Sequence, residues 1–224
     1  MRWRWSALWA GAEGGPPANE AMEASLRGRI GPALWERFQQ ATVAVCGLGG
    51  LGSHIALALA RAGVGTLRLF DFDRVDLSNL NRQQYKASQI GLEKPMALAE
   101  NLREVNPYLR LEPHALRLTE ENIPLLLQGA QVVCEAFDRP EEKALLTNTV
   151  LERLPEAYLV AASGMAGLGP ANAIRTRRVG SRLYLCGDGE SDVQNSSLFA
   201  PRVMLCAAHQ AQAVLRILAG EFDV

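Results

Sequence analysis

The chain has 224 residues, 48% of them apolar and 21% charged, a globular balance that excludes a disordered chain and suits one large domain. Its 23 basic and 24 acidic side chains leave a formal net charge of −1. That near-balance gives no electrostatic basis for duplex nucleic acid or an anionic membrane as the main partner, but a small anionic ligand in a local pocket is compatible with it.

Residues 1–19 hold Trp3, Trp5 and Trp9 and then a Gly-Pro-rich stretch, with no helical or strand period. They are expected to form a disordered extension, or to precede a start at Met22, leaving residues 20–224 as a single domain. Arg2 and Arg4 before Trp5–Ala10 resemble a secretory signal only faintly, because the apolar run is too short and no small-residue cleavage site follows. A cytoplasmic protein is expected. The longest uncharged run, Phe38–Ala60, contains four glycines and suits a soluble strand–turn–helix better than a membrane span.

From Thr42 the chain alternates. Strands are expected at Thr42–Cys46, Thr66–Phe70, Leu109–Leu116, Gln131–Glu135 and Tyr158–Ala162. Between them fall helices at Leu51–Ala62, Glu93–Val105, Glu120–Leu127 (capped by Thr119) and Pro140–Leu154. Ala171–Val179 and Leu183–Cys186 read as an antiparallel pair, Gly187–Ser197 as a polar loop and Pro201–Ala219 as a closing helix. The expected fold is α/β: a Rossmann-like, mainly parallel sheet flanked by helices, with an antiparallel C-terminal extension.

Gly47, Gly49, Gly50 and Gly52 form a G-x-G-x-x-G-like loop between a strand and a helix, where backbone N–H groups can receive a phosphate or ribose. Asp71 ends the next strand and can take ribose hydroxyls. The polar stretch from Asp71 to Gln83 adds Asp73, Ser78, Asn79, Arg82 and Gln83, Lys94 opens the next helix, and Asp138 follows the fourth strand. All these positions fall at the carboxyl ends of strands in a parallel sheet. Together they suit a triphosphate with magnesium rather than a nicotinamide cofactor.

These residues resemble the ubiquitin-activating-type adenylyltransferases, the ThiF, MoeB and HesA family. The resemblance runs from about Arg29 to the C-terminus and is most specific over Val43–Lys94. Cys134–Asp138, Ala161–Gly167 and Ala200–Gln210 look like the short ThiF branch, whose members adenylylate the sulfur carrier ThiS. The resemblance implies that ATP activates the C-terminal Gly-Gly carboxylate of a small ubiquitin-like sulfur-carrier protein, releasing pyrophosphate. By similarity Gly50 lies under the nucleotide, Asp71 binds ribose, and Ser78–Arg82 with Lys94 meet the phosphates. Asp138 holds Mg²⁺, and Arg29 is lent across a homodimer to the partner's ATP. The same resemblance has Gly187–Ser197 cross over the carrier's tail.

Longer relatives carry two C-x-x-C pairs for structural zinc; here Cys46, Cys134, Cys186 and Cys206 stand far apart, and no zinc is expected. Cys186 is the one candidate for a sulfur-transfer thiol, although a strand-end packing role is favoured; without it, a separate protein donates the sulfur. Cys46 and Cys134 read as core residues, Cys206 and His209 as packing, and His54 as either exposed or capping. Arg175, Arg177 and Arg178 read as a solvated edge that could also guide an acidic carrier. Two rivals stay open: an NAD-binding oxidoreductase, and a nucleotide-binding scaffold without turnover.

Overall fold

The computed structural model describes residues 15–192 and 196–224. Most of the expected N-terminal extension, and 193–195 of the polar loop, lie outside the described residues. Two helices that the sequence reading omitted come first, α1 (Asn19–Ile30) and α2 (Pro32–Gln40). The domain boundary expected at residue 19 therefore falls at the first residue of α1, and the Pro17 carbonyl accepts the Tyr108 hydroxyl at 2.8 Å.

Seven strands follow, interleaved with helices. They are β1 (Thr42–Cys46), β2 (Thr66–Asp71), β3 (Arg110–Ala115), β4 (Val132–Glu135), β5 (Tyr158–Ala162), β6 (Arg175–Val179) and β7 (Leu183–Gly187). The further helices are α3 (Gly50–Ala62), α4 (Lys94–Val105), α5 (Ile123–Leu127), α6 (Pro140–Arg153) and α7 (Ala200–Ala219). One sheet contains every strand, in the order β3-β2-β1-β4-β5-β7-β6. All neighbours run parallel except β6 and β7. The antiparallel pair is thus part of the main sheet, because β7 joins β5 in parallel register.

The β-branched and apolar strands alternate their side chains between two layers. Val43, Val45, Leu67 and Leu69 pack with α3, α4 and α7 on one face; Ala44, Cys46, Phe70 and Val133 pack with α5 and α6 on the other. Ile55 and Leu59 of α3 are fully buried, and truncating either to alanine would cost about 2–5 kcal/mol.

Two expected elements are corrected. The helix from Glu120 shrinks to α5, because Thr119 and Asn122 bond to each other: the Thr119 N–H donates to Asn122 Oδ1 and the Asn122 N–H to Thr119 Oγ1. That exchange closes a turn, and the helix starts only after it. The strand expected from Ala171 begins at Arg175, since Pro170 leads into a 3₁₀ turn over Ala171–Ala173. No helix among the described residues is long and apolar enough to cross a membrane.

Candidate nucleotide site

The chain builds β1, β2 and β3 outward on one side, then returns to place β4 beside β1. Such a reversal opens a crevice at the carboxyl ends of the two central strands. Here it lies where Gly47 leaves β1 and Ala136 leaves β4. Gly47 has φ +89°, and a methyl there would sit 2.7 Å from the Ala136 carbonyl oxygen. Glycine is therefore required by conformation and by space together.

Asp71, only 8% exposed, ties this loop down. Its Oδ2 accepts the Leu48 N–H at 2.7 Å and its Oδ1 the Asp73 N–H at 2.8 Å. From the other side Tyr85 donates its hydroxyl to the Leu48 carbonyl at 2.8 Å. Burial first, then the Asp71 and Asp73 carboxylates, raises the Tyr85 phenol well above its ordinary value, which keeps it a donor. The sequence reading missed Tyr85, whose apolar ring and lone hydroxyl carry no motif.

A cleft of about 550 Å³ opens over the loop, within the usual range for a small-molecule site. Gly47, Gly49, Gly50, Asp71, Asp73, Arg82, Gln83, Lys94 and Asp138 all line it. Gly52, Ser78 and Asn79 do not. Gly52 lies beneath the loop, where a methyl would sit 1.8 Å from the Gly47 carbonyl oxygen. Ser78 and Asn79 are engaged locally with Asp76 in a 3₁₀ turn, Leu77–Asn79. Arg29 is exposed on α1, outside the cleft of its own chain.

The cationic groups are already oriented. Lys94, nearly buried at the start of α4, holds Asp73 Oδ2 at 2.9 Å. Arg82 donates to the Ser78 carbonyl at 3.0 Å and to Asn81 Oδ1 at 2.8 Å. His54 anchors that segment to α3: its Nε2–H donates to the Arg82 carbonyl at 3.2 Å, and its Nδ1 accepts the Gln84 amide at 2.9 Å. Burial lowers its pKa, which matches the neutral ring this pattern needs. Arg139 and Lys143, which the sequence reading did not select, also line the cleft.

Several features fit a nucleotide with a divalent cation. Among the described residues Gln83 Oε1 is buried without a hydrogen-bond partner beside the glycine loop, an acceptor that a ligand hydroxyl or amine could satisfy. Gly50 lies under Val203, where a methyl would meet its Cγ1 at 2.8 Å. Among the described residues Asp138 is exposed and makes no hydrogen bond or ion pair. No three His, Cys, Asp or Glu side chains among the described residues are grouped to hold a metal by themselves. One free carboxylate completed by phosphate oxygens is the donor set that Mg²⁺ commonly takes.

The cysteines are buried. Cys186 lies on β7 within 3.6 Å of Thr176 Oγ1, which also shares a 2.9 Å hydrogen bond with His209 Nδ1. Burial pushes the Cys186 thiol up to about 11 and the Cys206 thiol up to about 12. These are the environments of packing residues.

A glycine loop at the switch point of a mainly parallel sheet, with carboxylate, lysine and arginine side chains lining the cleft above it, defines a Rossmann-type domain. Residues 23–223 match the ThiF family, and the chain belongs to it. The sulfur carrier protein adenylyltransferase of Thermus thermophilus is 35% identical over 124 residues, covering 55% of this chain and 46% of that protein. The adenylyltransferase and sulfurtransferase uba4 of Pyricularia oryzae is 31% identical over 199 residues, covering 82% of this chain and 40% of that protein. The chain thus spans less than half the length of either relative. Among solved structures, the E. coli tRNA N6-threonylcarbamoyladenosine dehydratase TcdA in complex with ATP superposes with a TM-score of 0.80 at 21% identity, over 90% of this chain and 95% of that one. That likeness bears on the fold.

Proposed function

We propose that the protein is an adenylyltransferase: it uses ATP to adenylylate the C-terminal Gly-Gly carboxylate of a small ubiquitin-like sulfur-carrier protein. One observation carries the reading. The glycine loop, Asp71, Arg82, Lys94 and Asp138, unpartnered among the described residues, all line a single cleft.

A carboxylate oxygen of the carrier attacks the α-phosphate, the bond to the β-phosphate oxygen breaks, and acyl-adenylate and pyrophosphate result. The nucleophile is already anionic, so no general base is needed. The work is positioning and charge neutralisation. Asp71 orients the ribose, the Gly47–Gly50 backbone receives the nucleotide, and Lys94 exchanges Asp73 for a phosphate oxygen while Arg82 takes another. Asp138 would hold Mg²⁺, which supplies further neutralisation of phosphate charge.

Resemblance of Ala161–Gly167 and Ala200–Gln210 to the short ThiF branch supports a thiamine-pathway carrier, ThiS. Its approach is guided by Arg175, Arg177 and Arg178 on the edge strand β6. Arg177 reaches toward Gly189 on the cleft wall, where a methyl would sit 2.8 Å from its Nη2. Gly187–Ser197 covers the carrier's tail. The protein works as a homodimer in which Arg29 serves the partner's site, and since Cys186 is buried, a separate protein donates the sulfur.

The test is ATP–pyrophosphate exchange with Mg²⁺ and a panel of Gly-Gly-ended carriers. Exchange with one carrier, reduced roughly 100-fold or more in Asp138→Ala, is expected. ATP binding without exchange on any carrier would instead indicate a nucleotide-binding scaffold.

A further inference from the structure

Asp138 lines the cleft, and among the described residues its carboxylate makes no hydrogen bond or ion pair. With no polar partner to orient it, its direction depends on the backbone turn that leaves β4. That turn is braced at its root by Glu135, whose side chain is 1% exposed. Glu135 Oε1 accepts the Phe137 N–H at 2.8 Å. Its Oε2 receives Lys143 Nζ at 2.6 Å, and the same ammonium donates to the Phe137 carbonyl at 3.3 Å. The Lys143 N–H in turn donates to the Arg139 carbonyl at 3.0 Å. Residues 135–139 are thus closed into a ring through Lys143, with Asp138 on its rim.

Other contacts hold the inner side of the turn. The Ala136 N–H donates to the Cys46 carbonyl at 2.8 Å, and Gln210 on α7 donates to the Glu135 carbonyl at 3.0 Å. Both grip the strand end, before Asp138. Among the described residues, Lys143 is what spans the stretch beyond it, from the Phe137 carbonyl to the Arg139 carbonyl. Lys143 looks like a phosphate ligand because it lines the cleft, but its charge is matched by a buried carboxylate at contact distance and two of its three N–H donors are occupied.

From this geometry we infer that Lys143 is a positioning residue for Asp138: locked on Glu135 and the Phe137 carbonyl, it fixes how Asp138 faces the cation in the cleft. The inference rests on the reading of Asp138 as the Mg²⁺ ligand. Groups that orient a metal ligand typically contribute tenfold or more to metal affinity.

The test is Mn²⁺ binding by electron paramagnetic resonance, on the full chain with a non-hydrolysable ATP analogue. Lys143→Met leaves Glu135 buried and unpaired and can fail to fold, so the decisive variant is Lys143→Met with Glu135→Gln. That variant is expected to keep the wild-type melting temperature within a few degrees and its metal-free affinity for the analogue. Its Mn²⁺ affinity should fall by about tenfold or more. Lys143→Arg should recover most of the loss. Mn²⁺ affinity within twofold of wild type in the folded double variant, with Asp138→Ala defective, would overturn the role of Lys143 alone. Unchanged Mn²⁺ binding in Asp138→Ala would overturn the reading of Asp138 and the role of Lys143 with it.

Discussion

Arg202, in the first turn of α7, binds Asp188, just past β7, with both side chains close to fully buried. The guanidinium also donates to the carbonyls of Ala166, Gly169 and Pro170. Asp188 meanwhile accepts the backbone N–H groups of Glu190 and Ser191. One guanidinium therefore joins the loop after β5 to the loop after β7, both of which contribute residues to the wall of the cleft.

Breaking that pair should be costly. Arg202→Met leaves Asp188 buried without its cation and is expected to lose about 3–5 kcal/mol in urea unfolding. The pH dependence follows from Asp188. Burial works to raise its pKa, but hydrogen bonds from Ser191, Glu190 and Arg202 outweigh it and bring the carboxyl from 3.8 down to about 2. A carboxyl depressed on folding stabilises the native state above its unfolded pKa and loses that effect as pH falls through the folded one. The stability gap between wild type and Asp188→Asn should be complete at pH 7 and close between about pH 4 and pH 2.

Gly47 and Gly52 should tolerate no side chain, for reasons that differ from ligand contact. Gly47→Ala puts a methyl against Ala136 at positive φ, and Gly52→Ala drives one into the Gly47 carbonyl. Each is expected to lower stability by at least 1–3 kcal/mol, on the order of a strained backbone residue, and to abolish ATP binding. Calorimetric melting beside ATP titration would check both. Normal ATP affinity in Gly52→Ala would contradict the close approach.

Lys94 and Asp73 should separate functionally. Removal of a charged donor to phosphate, as in Lys94→Met, is expected to weaken ATP about 10–100-fold. Asp73→Asn only frees the lysine from its resting partner and should leave affinity within several-fold. Isothermal titration with ATP distinguishes them.

Cys186 should resist alkylation. A buried thiol held at about 11 presents almost no thiolate at neutral pH, so iodoacetamide on the native protein should leave it unlabelled in peptide mass spectra while labelling it after unfolding. Cys186→Ala should retain pyrophosphate exchange.

Most of the fold was legible because alternating apolar strands and Ala-Leu-rich helices declare themselves by period, and the glycine loop by its place between β1 and α3. α1 was not legible, since none of its residues is buried and its apolar row is only Met22, Leu26 and Ile30 among mostly polar neighbours. The shortened α5 turned on a reciprocal side-chain exchange that competes with helix formation. In the site, Asp71, Arg82, Lys94 and Asp138 came with a motif. Gly52, Ser78 and Asn79 shared that motif but serve the loop and a local turn. Lys143, Asp188 and Arg202 were hidden for a different reason: a charged residue on a helix or loop looks solvated until the fold supplies its buried partner.

The placement of β1 bears on how the site comes into being. β1 takes its second neighbour, β4, only after two strands and three helices have been made in between, and Val203 of α7 covers Gly50 from still further along the chain. During synthesis the nucleotide loop can be emitted early but cannot be assembled until these distant segments arrive, and pairings across such separations are slow to form. ATP would then act as a late selector, binding chains that have finished folding and ignoring those that have not.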